Sequence, residues 1–316
     1  MSGQRAGAEV RAAVSFFHGP LQPHGYWIED RTYGTVWYPR NRSPDWQPYS
    51  HGRWVWTSEY GWYWESDEPW GWATYHYGRW VYTSDYGWVW VPDDEWGPAW
   101  VEWRYGGTGY VGWAPLPPEA RWRNNAMVYG SVDLGAPRYQ ASWVFVGEGD
   151  FARGTIKERR VSATRNAALL ASTARVGGYA AVNGRIINRG VDAAHISAAA
   201  KLPLNTVAVT EVDTPVGARA RTSGQVRIYR PRVIATGSIT TESAPGRLHL
   251  ETDERFNVQR PADVDVRGPN VGVDVPRAPG VGLGGGVGVG GGVGTGGAGV
   301  GIGGGIGGGG GLRIGR

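Results

Sequence analysis

The sequence predicts an all-β protein: tandem aromatic β-hairpins, then a small β-rich domain with one short helix, then a disordered glycine-rich tail. Three observations point there. All 18 Trp lie between Trp27 and Trp143, and 12 of the 16 Tyr lie between Tyr26 and Tyr110. Three stretches repeat with the same internal spacing. Within each stretch, aromatic and β-branched residues alternate with a period of two, which is the strand signature.

The repeats are Gly25-Tyr26-Trp27 leading to Tyr33-Gly34-Thr35-Val36-Trp37, Gly52-Arg53-Trp54 leading to Tyr60-Gly61-Trp62-Tyr63-Trp64, and Gly78-Arg79-Trp80 leading to Tyr86-Gly87-Trp88-Val89-Trp90. In each, the first Trp precedes the Tyr-Gly glycine by seven positions and the last Trp by ten. The units begin 27 and then 26 residues apart, and a degenerate fourth runs from Trp96 through Trp103 to Trp113. A period of this size marks a repeated supersecondary element. In the third unit a loop Asp85-Tyr86-Gly87 would put Gly87 in the left-handed position, with Gly34 and Gly61 its counterparts. That register pairs Ser84 with Trp88 and Tyr82 with Trp90. It sets Trp80, Tyr82, Trp88 and Trp90 on one face and Val81, Thr83, Val89 and Val91 on the other.

Proline marks the joints, and the cluster Pro115, Pro117 and Pro118 suggests a boundary. The expected division is a segment 1–20, the repeats 21–118, a second β-rich domain 119–235, a linker 236–279 and a tail 280–316. In the second domain Trp143 to Val146, Thr206 to Val212 and Gln225 to Tyr229 read as strands, and Asn183-Gly184 as a two-residue hairpin turn. Asp192 can cap a short helix through Lys201. The last segment, Gly280 to Arg316, contains 23 Gly and almost no charge. It has too little side-chain surface to offset its ordering entropy.

Charge and composition exclude several classes. The net charge is +4, but residues 21–118 carry 12 acidic and 6 basic side chains and the rest 16 acidic and 26 basic. An acidic aromatic segment repels phosphates, and the arginines elsewhere form no dense run, so nucleic acid is not an expected partner. Cys is absent, which removes disulfides and thiolate sites. No stretch is apolar enough to span a membrane. Met1 to Phe17, with Arg5, Arg11 and a short apolar patch from Ala12 to Phe17, does not read as a signal peptide.

Several strings go beyond composition: Tyr-x-x-Gly-Arg-Trp at Tyr49–Trp54 and Tyr75–Trp80, Tyr-Gly-x-Val-Trp-x-Pro at Tyr33–Pro39 and Tyr86–Pro92, and Gly-Trp-Ala-Pro-Leu-Pro-Pro at Gly112–Pro118. With Asn183–Val191 and Tyr229–Arg232, they resemble a bacterial family of Tyr/Trp-repeat proteins (YXWXQ-type) of unknown function, sometimes found beside FecR-type domains. The resemblance covers roughly residues 15–235. It implies an exported, periplasmic or extracellular envelope protein without established activity, whose relatives start further upstream with an export signal. It supplies no catalytic residues.

The chemistry left open is binding. Trp and Tyr on a strand face can stack on sugar rings, with nearby carboxylates bonding hydroxyls. The positions repeated in all three units, Trp27, Trp37, Trp54, Trp64, Trp80 and Trp90, read as core, since each buried aromatic removes about 150–250 Å² from water. The variable positions Trp56, Trp62, Tyr82 and Trp88 are the stacking candidates. The carboxylates Asp67, Glu68, Asp93, Asp94 and Glu95 fall in turn-rich joints where solvated acids are expected, and with Glu65 and Glu102 they form no evident glycosidase pair. His51 and His76 suit turn or packing roles, and none of the six His has metal-ligand spacing. Arg53 and Arg79 suit cation–π contacts or ion pairs. The expectation is a non-catalytic protein without metal or cofactor. Its aromatic repeats would bind a glycan or peptidoglycan. In the alternative, buried aromatics build a scaffold that meets an envelope protein.

Overall fold

The structure is a computed structural model that describes residues 2–40, 42–219 and 224–233, with no side chains described before residue 12. The expected linker 236–279 and the Gly-rich tail lie outside the described residues.

Each repeat is a hairpin with its two Trp directly opposed. The four hairpins are β1 (Gly25–Asp30) with β2 (Gly34–Pro39), β3 (Gly52–Thr57) with β4 (Gly61–Ser66), β5 (Arg79–Thr83) with β6 (Gly87–Val91), and β7 (Val101–Gly106) with β8 (Tyr110–Pro115). The opposed pairs are Trp27 with Trp37, Trp54 with Trp64, Trp80 with Trp90 and Trp103 with Trp113. The faces are as the alternation dictates, but the register is not the one expected. Tyr82 pairs with Trp88, and Thr83 closes the turn against Gly87. The reason is local. The Thr83 hydroxyl accepts from the Tyr86 amide at 3.2 Å and donates to the Gly87 carbonyl at 3.3 Å, so the loop is Ser84 to Tyr86. Thr57 does the same for Tyr60 and Gly61, and the Asp30 carboxylate takes the Thr32 and Tyr33 amides. Gly34, Gly61 and Gly87 hold φ of 72°, 69° and 69°, where a side chain is strained. A slip of one residue on both strands together preserves which side chains share a face.

The hairpins do not stack in sequence order. The first and third share a sheet, β1-β2-β6-β5, joined at Trp37 and Trp90. The other two sheets are completed by chain beyond residue 118. The fourth hairpin is flanked by β11 (Val144–Gly147) and β12 (Ala174–Val176) in the order β11-β8-β7-β12. The second pairs with the hairpin β13 (Tyr179–Val182) and β14 (Arg185–Asn188) in the order β13-β14-β4-β3. Residues 119–235 therefore do not form a separate second domain. Four of their strands, β11 to β14, join the repeat sheets, and the described residues fall in one compact unit, Met1–Asp263. Pro115 to Pro118 ends a strand, not a domain.

A small hairpin, β9 (Arg121–Arg123) with β10 (Ala126–Val128), turns on Asn124 and Asn125, both at positive φ. The last pair, β15 (Ala208–Glu211) and β16 (Gln225–Ile228), is parallel. Asn183-Gly184 forms the expected turn between β13 and β14.

Helices are more numerous than the sequence signals. α1 (Ser2–Leu21) occupies the N-terminal segment, to which the sequence assigned no element, and buries Ala13, Phe17 and Leu21. Phe17 packs against Trp72, Tyr77 and Trp90. α2 (Gly71–Thr74) and α3 (Asn166–Ser172) are short; α5 (Pro215–Arg219) lies between the last two strands. Between these, α4 (Ala193–Ala200) is the expected helix, with the Asp192 carboxylate accepting from the His195 amide at 2.7 Å.

Candidate functional site

The repeat tryptophans form the core. Trp27, Trp37, Trp54, Trp64, Trp80, Trp90, Trp103 and Trp113 are all buried. Two tyrosines join the hairpins: Tyr49 stacks on Trp54, meets Tyr75 at 4.6 Å between ring centres, and Tyr75 reaches Trp80. Burying an indole requires a partner for its N–H, and most find a main-chain carbonyl. Trp37 donates to Leu21, Trp80 to Thr74, Trp90 to Tyr77 and Trp113 to Tyr49. Trp103 donates to the side chain of Asn188, itself fully buried. Where such a bond is made, it explains why the position carries Trp and not Phe.

Burial corrects the stacking candidates. Trp62 is wholly enclosed: its ring meets Phe151 edge-on and its N–H donates to the Val191 carbonyl at 2.8 Å. Trp88 is 7% exposed. Neither offers a face to a sugar. The second hairpin is roofed by chain that sequence order places far away, which is why alternation left Trp62 open. Trp56 is half-buried and stands edge-to-face with Trp62. Tyr82 is 51% exposed and is the one stacking candidate fully at the surface.

Tyr82 lines a surface cleft of about 400 Å³ between the tips of the first and third hairpins. The other aromatic walls are Tyr33 and Tyr86; Glu29, Asp30 and Asp85 supply carboxylates and Arg31 a guanidinium. The Tyr33 hydroxyl donates to Glu119 at 3.3 Å; partial burial and this neighbouring carboxylate push its pKa up to about 12. Below the third tip, Arg42 donates to the Tyr86 and Trp88 carbonyls at 3.0 Å each, fixing the tip against the loop that follows β2. The Tyr-Gly motif was legible as a turn. Its Tyr as a surface group was not, because Tyr60, the same position in the second hairpin, is buried against Trp96.

Several other ionisable groups are structural. Glu68 is not a solvated turn acid. Its carboxylate accepts from the Trp46 indole at 2.5 Å and from the Tyr75 hydroxyl, and enclosure raises its pKa from 4.5 to about 7 against those bonds. His76 is buried between Tyr63 and Trp96 with Nδ1 at 3.0 Å from the Gly97 carbonyl, and burial lowers its pKa to about 4. Arg53 pairs with Glu65, and Arg79 lies 3.8 Å from the centre of the Trp100 ring, not on Trp80. The Tyr105 hydroxyl and the Glu148 carboxylate converge on His195 Nε2 at 2.6 and 3.0 Å, a cluster with no sequence signal because its members lie on three separate elements. Among the described residues no group of three or more His, Cys, Asp or Glu is placed to hold a metal ion, and no helix is long and apolar enough to cross a membrane.

Fold and site together define an all-β protein of Trp-paired hairpins with an acidic, tyrosine-lined cleft. Residues 18–120 match the model of a family of unknown function (DUF6600). No curated protein and no solved structure matches the chain. The matched span holds all four hairpins but not the strands β11 to β14 that complete two of their sheets.

Proposed function

We propose that this protein is a non-catalytic scaffold of the bacterial envelope, in which the aromatic repeats are core and partners meet the hairpin tips and the basic region after residue 118. The observation that carries this reading is the burial of the paired tryptophans together with Trp62 and Trp88. Rings enclosed and hydrogen-bonded inside a fold stabilise it and are not free to stack on a ligand. The envelope location rests on the resemblance of the repeat motifs to exported proteins.

A second reading, glycan binding, is favoured by the exposure of Tyr82 and the partial exposure of Trp56. Co-sedimentation of the full chain with purified peptidoglycan separates the two. The scaffold reading expects no pelleting above a buffer control, for wild type and for a Trp56→Ala/Tyr82→Ala double variant alike. Pelleting that the double variant loses while its circular dichroism is unchanged would replace the scaffold with a glycan-binding module.

A further inference from the structure

We propose that Trp72, Tyr77 and Trp96 form a recognition groove for an extended aromatic-Arg-Pro segment of a partner chain, and that this chain's own Tyr229-Arg230-Pro231 is its built-in competitor. Three consecutive residues of that segment meet the three aromatics in turn. The Tyr229 ring lies 5.0 Å from Trp72 between centres. The Arg230 guanidinium stands 5.3 Å from the centre of the Trp96 ring and pairs with Glu211 at 2.6 Å. The Tyr77 hydroxyl donates to the Pro231 carbonyl at 2.6 Å. Residues Tyr229 to Val233 belong to no helix or strand. Pro231 fixes its own φ and holds Arg230 in the extended region. Aromatic grooves read proline-containing chain in this way, because the backbone is ordered before it binds and its carbonyls are free to accept.

Groove and occupant are built separately. Trp72 and Tyr77 both pack on Phe17, while Trp96 stacks on His76 and meets Tyr60 edge-on, so none of the three depends on the segment for its place. All three lie within residues 18–120 of the family match, and the segment lies outside it. The segment is also lightly held. The deep burial in this part of the chain comes one step earlier, at Val226 and Ile228 of β16. Beyond them Tyr229, Pro231 and Val233 are half-buried, and Arg230 and Arg232 are exposed. Peeling the chain back from Ile228 therefore opens the groove without unpairing β16 from β15. The walls set the ligand class. The Trp96 face and the Glu211 carboxylate select a guanidinium, whose plane stacks while its N–H groups reach the acid. The Tyr77 hydroxyl requires a carbonyl that no strand partner has taken.

The site goes beyond the scaffold reading and is tested without peptidoglycan, so one can fail while the other stands. A capped peptide spanning Ile228–Val233 is titrated against the full chain by saturation-transfer NMR on the peptide tyrosine ring. The wild type, whose groove is filled by a tethered copy, should bind it weakly. A Tyr229→Ala/Arg230→Ala double variant, whose own segment has lost two of its contacts, should bind about tenfold more tightly. Adding Tyr77→Phe to that variant removes the donor to the carbonyl and should weaken binding about fivefold. A peptide with Gln in place of its first Arg should bind more weakly to the double variant than the parent peptide does. Wild-type dimers at high concentration that the peptide dissolves would name a second copy of this chain as the partner. Peptide binding no tighter in the double variant than in the wild type, or indifferent to Tyr77→Phe, would overturn the assignment. So would loss of the double variant's cooperative thermal transition, since the segment would then be core and not a competitor.

Discussion

In the first and third repeats all four paired tryptophans donate their indole N–H to main-chain carbonyls, at His18, Leu21, Thr74 and Tyr77. In the second and fourth, Trp103 and Trp113 have partners, but Trp54 and Trp64 are buried with no hydrogen-bond partner for the indole nitrogen. The acceptors of the first pair come from nearby chain, the end of α1, the last residue of α2 and the turn that follows it. Those of the second come from further away: Asn188 takes Trp103 and Tyr49 takes Trp113. The same motif is thus closed by its neighbours in one half and by distant chain in the other. Local closure leaves the tips free to form a cleft. Distant closure covers the tip of the second hairpin and relies on ring packing, with Trp54 at 4.4 Å from Trp103 and 5.1 Å from Trp64 between ring centres.

The turn glycines give the sharpest test of this contrast. A Cβ on Gly61 would lie 2.2 Å from the Asn188 carbonyl oxygen, whereas one on Gly34 would meet nothing within 4 Å. Both substitutions incur the left-handed penalty of about 1–2 kcal/mol. Gly61→Ala adds an overpacking cost of about 1–3 kcal/mol against backbone that cannot swing aside. Thermal and urea denaturation of the full chain should therefore show Gly61→Ala as the larger loss, about 2–5 kcal/mol in all. Equal losses at the two glycines would mean that β14 does not clamp the second tip.

Glu68 lies between the halves, touching Ser66 of β4, Trp46 and Tyr75. As a residue it is half-buried, but the carboxylate is its enclosed end. Enclosure raises its pKa from 4.5 to about 7, so between those values the folded chain keeps a proton that the unfolded chain releases. The stabilisation is complete below about pH 4.5 and is lost as pH rises through about 7, an effect of roughly 3 kcal/mol. Glu68→Gln mimics the neutral form. The stability difference between variant and wild type should grow in the variant's favour from pH 4.5 to 8. A difference that stays flat across that range would show the carboxylate to be solvated.

The smallest effect compares indoles. Trp90→Phe leaves the Tyr77 carbonyl without its donor, while Trp64→Phe removes a donor that has no partner. Both lose similar ring area, so Trp90→Phe should cost more by about 1–2 kcal/mol. Urea melts of the two variants in parallel check this. The reverse order would point to a bridging group at Trp64.

The paired tryptophans were legible in the sequence because spacing and period two depend only on neighbours along the chain. So were the strand faces, the three turn glycines, the Asn183-Gly184 turn and the Asp192 cap. The turn register was misplaced by one residue because Thr83 closes its loop through its own hydroxyl, a contact that alternation does not encode. α1 was missed because its apolar stripe, Ala13, Phe17 and Leu21, is sparse and gains its burial from Trp72, Tyr77 and Trp90. The status of Trp62, Trp88 and Glu68 was misread for one common reason. Exposure is a property of what lies opposite, and what lies opposite is set by sheet order.

By itself, then, the sequence determined the repeating unit: which residues form each hairpin, where it turns and which of its faces is aromatic. Those are outcomes of backbone preference and side-chain alternation, settled within about a dozen residues. Only the tertiary structure decided that the first hairpin pairs with the third, that strands beyond residue 118 complete the sheets of the second and fourth, and that Tyr33, Tyr82 and Tyr86 share one cleft. Pairing between distant strands depends on the summed burial of whole faces against the entropy of closing the intervening loops. Four near-identical hairpins offer many pairings whose local energies are alike, and the choice among them falls to contacts such as Asn188 on Trp103 and Phe17 on Trp90 that no single repeat contains.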